Sequence, residues 1–228
     1  MPKSQSLQER YGDPLLTALT IMLAILLFAV APMQAAGITI AHEFGIAFGL
    51  VLVVAVFVVS GSMIALAAVL VADGCVVAAT IMRLSHPSET GILLDASAWL
   101  IAGATLIVVV ARAVFAPGRI NFHRVIGAVL LYLSLGLVFM SLFCFVAVFE
   151  PDAFTGIGAL HDNLAVAGNL TYFSFVTLTS VGYGDIVPLH PYARGLANVE
   201  AIIGQLYPAT LLARLVTLEL EGRHRSGT

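Results

Sequence analysis

Apolar residues in this chain do not alternate with polar ones; they run in long blocks separated by short polar breaks. A helix needs about 20 apolar residues to cross a bilayer, and four blocks meet that length: 14–36, 96–115, 125–149 and 191–218. Asp13-Pro14 reads as an N-cap followed by proline at the first helical position. Asp95 reads as a cap for the block at 96–115, which Pro117-Gly118 ends. The stretch 44–82 is longer. As one helix it would run roughly 58 Å, about twice the hydrocarbon thickness. Ser60-Gly61-Ser62 is the natural break, which gives two helices, 44–59 and 62–82, joined by a tight turn.

Composition says what solvent these blocks face. The hydrophobic fraction is 60% and the charged fraction 10%, against roughly 45–50% and 25% in soluble domains. With a mean hydropathy of +1.03, the polar surface cannot cover a globule in water, so the surrounding medium is lipid. A net charge of −3 gives no reason to expect nucleic acid as a partner. Cys75 and Cys144 lie inside apolar runs and read as small buried hydrophobes. The first apolar run is too long for a cleavable signal peptide.

Charge also orients the spans. With six crossings and a cytoplasmic N-terminus, Lys3, Arg10, Arg112, Arg119, Arg124, Arg214, Arg223 and Arg225 lie inside, and Arg83 and Arg194 outside. That is the expected cytoplasmic bias of positive residues. Five crossings would put the basic ends of the chain on opposite sides. The expectation is an all-α protein of the cell membrane with six transmembrane helices and both termini cytoplasmic. Residues 1–13 form the N-terminal segment, 14–115 a four-helix membrane domain, 125–218 a second membrane unit and 219–228 a short tail with no room for a ligand-binding domain.

Between the fifth and sixth spans lies a segment that does not cross. A polar, glycine-containing stretch (150–168) leads into Asn169-Leu170-Thr171-Tyr172-Phe173-Ser174-Phe175-Val176-Thr177-Leu178-Thr179. Eleven residues make a helix of roughly 16 Å, about half a membrane. Lipid cannot satisfy non-helical backbone, so such a half-helix belongs where protein or water surrounds it. Thr179-Ser180-Val181-Gly182-Tyr183-Gly184-Asp185 follows, and it resembles the signature of potassium channels of the one-pore-loop type.

The residue types suit that chemistry. To replace the hydration shell of a potassium ion, successive carbonyls must face one axis. A regular strand alternates them, so some residues must take left-handed dihedrals, which Gly182 and Gly184 permit. The resemblance implies K+ ligands from the carbonyls of Ser180, Val181, Gly182 and Tyr183, with Gly184 completing the filter, plus the Ser180 hydroxyl where threonine is common. It implies filter support from Thr179, from Tyr172 and Phe173 packed around Tyr183, and from Asp185 at the outer mouth. One filter strand is a quarter of the cage, so a homotetramer follows. The acid often found behind the family's filter is absent here, its place taken by Val176.

Gly204 stands nineteen residues after Asp185, where the resemblance implies a hinge in the inner helix. Pro208 cannot donate to the Gly204 carbonyl, so a kink is expected on that turn. The paired-proline motif of voltage-gated channels is absent.

The first four spans match a voltage sensor in order only. The fourth carries a single arginine, Arg112. One such charge in each of four subunits would supply at most about 9 kcal/mol per 100 mV, so weak voltage gating or none is expected. Asp73 lies mid-span, which leaves structural and proton-sensing roles both open. Glu200 is expected behind the filter, meeting Arg194 or a neighbouring subunit. His42, Glu43, His86, His161 and Asp162 read as solvated outer-loop residues.

The function implied is passive potassium conduction, with no enzyme chemistry and no cofactor. The partners are K+, the lipid bilayer and three further copies of the chain. A secondary transporter using Asp73 and Glu200 is the rival reading, although the paired repeats of that class are not visible. A voltage-dependent channel with a degenerate sensor is another. The non-conducting regulatory subunit is disfavoured by the intact filter motif, and potassium-uptake proteins carry four loops where this chain has one.

Overall fold

The computed structural model describes residues 2–35, 41–60, 62–85, 88–114, 122–150, 152–158 and 163–226. Its elements are α1 (Pro2–Ile25), a π-helical turn (Leu26–Val30), α2 (Ala31–Ala35), α3 (Ala41–Ser60), α4 (Met63–Ser85), α5 (Glu89–Val114), α6 (Phe122–Phe149), β1 (Phe154–Thr155), α7 (Asn163–Leu178), β2 (Val187–Pro188) and α8 (Pro191–Ser226). Pro117-Gly118, Gly61, His86, His161 and Asp162 lie outside the described residues, as do the side chains of His42, Glu43 and Asp13.

Among the described residues, four stretches are long and apolar enough to cross a membrane: Pro14–Met33, Met63–Met82, Glu89–Val114 and Val125–Phe149. Two apolar helical stretches are shorter, Ala47–Ser60 and Ala165–Leu178. Large apolar side chains stand exposed on α3 and α4, including Leu50, Phe57, Met63, Ile64 and Leu70. Exposed apolar faces of this kind mark contact with lipid or with another protein.

The break at Ser60-Ser62 forms as expected, and both serines make it. Ser60 Oγ accepts the Ser62 N–H at 3.0 Å, and Ser62 Oγ accepts the Ala65 N–H at 3.4 Å, capping α4. Two other helix starts differ from the sequence expectation. Asp13 is interior to a helix, because α1 is already helical from Pro2 and passes through Pro14. A proline removes one ladder bond but does not oblige the helix to begin there. Asp95 is also interior, because Ser88 caps α5 seven residues earlier by accepting the Gly91 N–H at 3.3 Å. Glu89 in the first turn and Arg112 in the last both complement the α5 dipole.

One hydrophobic core joins the helices, from Leu16 and Leu23 on α1 through Leu106 on α5 to Leu130, Leu137 and Phe143 on α6, and on to Leu170 on α7. Residues from 14–115 and from 125–218 therefore share a single packed interior. Gly103 lets α5 lie close to α6, its Cβ position being 3.4 Å from the Ser134 carbonyl. The π-helical turn carries Phe28, whose ring meets Phe175 of α7 edge-on at 5.2 Å.

Among the described residues the fold is all-α apart from one small clasp. β1 pairs antiparallel with β2, Phe154 opposite Pro188 and Thr155 opposite Val187. The Leu189 N–H extends it to the Ala153 carbonyl at 2.8 Å. Gly156, at φ +85°, sits against the Asp185 carbonyl where a side chain would collide. The clasp brackets α7 and the loop after it, the only long non-helical run between α6 and α8 among the described residues.

Candidate functional site: the loop after α7

α7 is longer than the half-helix expected from sequence. It begins at Asn163 and has 16 residues, roughly 24 Å, because Asn163–Gly168 joins the helix instead of the preceding loop. At its C-terminus the chain is tied back on itself. Thr179 N–H donates to Phe175 O (3.0 Å), Ser180 to Thr177 O (2.9 Å), and Val181 and Gly182 both to Val176 O (2.9 and 3.4 Å).

The dihedrals of this loop alternate. Ser180, Gly182 and Gly184 have φ of +57°, +56° and +79°, while Val181 and Tyr183 between them stay at negative φ. Positive φ at every second residue is what allows successive carbonyls to turn to one side of a strand, an arrangement that a regular strand cannot give. The N–H groups of Ser180, Val181 and Gly182 face α7. Among the described residues, no hydrogen bond ends on the carbonyls of Ser180, Val181, Gly182 or Tyr183. Residues 180–185 are all exposed. Exposed as they are, these four carbonyls are free to take partners from outside the chain.

The two glycines were legible in the sequence as left-handed positions; Ser180 was not. The signal that could have found it is the period of two, counted back from Gly184 and Gly182. A non-glycine residue in this region carries strain of order 1–3 kcal/mol. Gln205 of α8 steadies it, donating from Nε2 to Ser180 Oγ at 2.9 Å.

The flanking aromatics divide. Tyr172 lies parallel to Tyr183, ring centroids 6.3 Å apart and planes 3° from coplanar. Phe173, expected beside Tyr183, turns the other way within this chain. It packs edge-on against Phe143 (4.9 Å) and Phe154 (5.5 Å), anchoring α7 to α6 and to the clasp. The Thr179 hydroxyl donates to Phe175 O at 2.7 Å, and Asp185 is exposed, its Oδ1 accepting the Ile186 N–H at 3.1 Å.

Behind the loop, three helices meet in matched pairs of residues four apart, hence on one face of each helix. On α7 the pair is Ser174 and Leu178, on α8 Glu200 and Gly204, on α6 Gly136 and Tyr132. At the upper level Ser174 Oγ lies 2.6 Å from Glu200 Oε1 and 2.8 Å from Gly136 O. At the lower level the Tyr132 hydroxyl donates to Leu178 O at 3.1 Å, and Gly204 packs its bare Cα against that same carbonyl. Tyr207 continues the contact downward, its hydroxyl donating to Ala128 O at 2.7 Å. None of Tyr132, Gly136 or Ser174 stood out in the sequence, because their partners lie 26 to 46 residues away.

The remaining candidates are dispersed. Gly204 and Pro208 sit inside one unbroken α8. Glu200 faces Ser174 and not Arg194, whose Nε donates to Pro188 O at 3.0 Å. Asp73 is half-buried on α4, its carboxyl seated against Gly49 of α3, where a Cβ would come within 2.7 Å of Oδ1. It is thus on different helices from Glu200 and its surroundings. Arg112 is exposed beside a cavity of about 680 Å3 lined by Leu16, Val59, Ile64, Ala104 and Val108. One flank of α8 is bare: Val199, Ile202, Gln205, Leu206 and Leu212 are exposed alongside the loop.

Comparison with known proteins bears on the stretch that holds this loop. Residues 137–220, from mid-α6 through most of α8, match the family model described as ion channel. Protein LctB of Bacillus caldotenax is 39% identical over 70 residues, 31% of this chain and 49% of its own length. Protein LctB of Geobacillus stearothermophilus is 36% identical over 69 residues, 30% of this chain and 48% of its own. Two-pore potassium channel 1 of Arabidopsis thaliana is 37% identical over 94 residues, 41% of this chain and 23% of its own. The matched stretch thus spans about half the length of the LctB proteins and under a quarter of the plant channel. No solved structure matches the chain.

Proposed function

We propose that this chain is one quarter of a potassium-selective pore in the cell membrane, and that residues 180–184 are its filter. The observation that carries the reading is the alternating φ of Ser180, Gly182 and Gly184, with the neighbouring N–H groups tied to α7 and the carbonyls of residues 180–183 left unpartnered. Four copies about one axis surround a dehydrated K+ with those carbonyls, which replace its water. The Ser180 hydroxyl adds the innermost oxygen. The ion is cargo, the work is passive conduction, and no cofactor enters. The ion-channel match over 137–220 and the likeness to a plant potassium channel support this reading.

The rest of the site follows from the same arrangement. The bare flank of α8 and the exposed loop face the other copies and the water of the pore, which accounts for a helix less apolar than the other spans. The C-terminal end of α7 points its negative dipole end at the ion path, and four Asp185 carboxylates concentrate cations at the outer mouth. α1, α3, α4, α5, α6 and α8 make the six crossings, with both termini cytoplasmic by the charge bias. Arg112 stands alone on α5, so opening is at most weakly voltage-dependent.

A flux assay tests the proposal. Liposomes holding the purified chain and loaded with K+ are expected to accumulate external Rb+ down the potential that K+ efflux creates, while Na+-loaded liposomes do not. Equal uptake in both, or none in either, contradicts it.

A further inference from the structure

Glu200 has no part in coordinating ions, yet it is 0% exposed, as is the Ser174 it touches. A buried carboxylate requires a paired cation or several donors. Neither is present among the described residues. Ser174 Oγ at 2.6 Å is the one hydrogen-bonding group that meets the carboxyl, and Oε2 meets none. Arg194, the candidate counter-charge, is engaged with the Pro188 carbonyl. The titratable side chain within electrostatic reach from α6 is the Tyr132 phenol, which is directed to Leu178 O. α7 offers only the Ser174 hydroxyl at this level.

Counting hydrogens resolves the cluster. A serine hydroxyl has one hydrogen to give, and Ser174 Oγ is within hydrogen-bond distance of two oxygens, Gly136 O at 2.8 Å and Glu200 Oε1 at 2.6 Å. The carbonyl can only accept. An ionised carboxylate can only accept as well, which would leave two oxygens facing each other with no hydrogen between them. A protonated carboxyl gives each contact its donor: Glu200 O–H to Ser174 Oγ, and Ser174 O–H to Gly136 O. It also leaves no charge on the unpartnered Oε2.

We propose that Glu200 is a neutral, proton-bearing latch that fastens α8 to α7, and through Ser174 to α6, one turn above the point where Gly204 meets Leu178. It is a positioning residue. Its relay holds the helix whose end leads directly into residues 180–184, so the loop keeps its carbonyls aligned while α8 carries the load of the neighbouring copies. The effect on conduction rests on the pore reading; the protonation state does not.

Infrared spectroscopy of the purified chain in lipid, parent minus E200Q at neutral pH, reads the proton directly. A carbonyl-stretch band of a protonated carboxyl is expected in the parent and absent from E200Q. S174A is expected to move that band to the higher frequency of a carboxyl that has lost its acceptor. In the flux assay, E200Q keeps an N–H donor for Ser174 and is expected to conduct within about twofold of the parent, whereas E200A falls about tenfold. No band difference between parent and E200Q overturns the latch, as does a band that S174A leaves in place. E200Q as impaired as E200A overturns it too, by showing that the charge is required. If the parent shows the band but passes no ions, the latch stands and the pore reading fails.

Discussion

Replacing Gly182 with alanine is expected to remove the discrimination between potassium and sodium while leaving an assembled protein. Gly182 has φ +56° and nothing within 4 Å of where its Cβ would stand, so the change is one of backbone preference and not of packing. An L-residue in that region costs about 1–2 kcal/mol. In the proposed tetramer four copies share one cage, so the strain is roughly 4–8 kcal/mol per assembly. Rotating the peptide before residue 182 relieves it by turning the Val181 carbonyl away from the axis, which removes a ring of ligands. The K+ to Na+ flux ratio is expected to fall at least about tenfold, the equivalent of 1.4 kcal/mol, with the particle mass unchanged. A variant that still selects potassium would show that residue 182 does not line the ion path.

Gly204→Ala is expected to have the largest effect on stability of any single methyl added to α8. Its Cβ would overlap the Leu178 carbonyl, which belongs to backbone and cannot swing aside. α8 must then lift off α7, and the Glu200–Ser174 contact one turn above goes with it. Overpacking of this kind costs about 1–3 kcal/mol and occasionally more, so a loss of at least about 3 kcal/mol per chain is expected in thermal unfolding. Gly195→Ala on the same helix and Gly74→Ala on α4 meet nothing within 4 Å, and each is expected to be neutral or to gain up to about 1 kcal/mol of helix propensity. The comparison separates contact from hinge. A glycine kept for bending predicts a Gly204→Ala protein of ordinary stability and altered opening; a glycine kept for close approach predicts an unstable one.

These two glycines also mark how far the sequence could be read. Gly182 was legible because its role is local: a left-handed residue inside a short polar motif between two long apolar runs. Four of the expected spans were legible for a similar reason, since composition alone names the solvent, and the Ser60-Ser62 break followed from helix length. The close approach of Gly204 to Leu178 was not legible, because it depends on which helix lies opposite. The same holds for Tyr132, Gly136 and Ser174, whose hydrogen bonds cross between helices far apart in sequence. Helix starts were misread for another reason. Asp13-Pro14 and Asp95 have the right chemistry for caps, but α1 is already helical through the polar residues that precede Pro14, and the better-placed Ser88 starts α5 ahead of Asp95. Ser180 is intermediate: its left-handed φ is written in the spacing of the glycines, yet what steadies it, Gln205, comes from the other side of the loop.

The central claim, that carbonyls of residues 180–183 strip and select the ion, is tested most directly by the reversal potential of the purified chain in a planar bilayer, with potassium on one side and sodium at equal concentration on the other. A current that reverses far towards the potassium equilibrium potential is the result this arrangement predicts. Reversal at zero millivolts, with current carried equally by both ions, would contradict it.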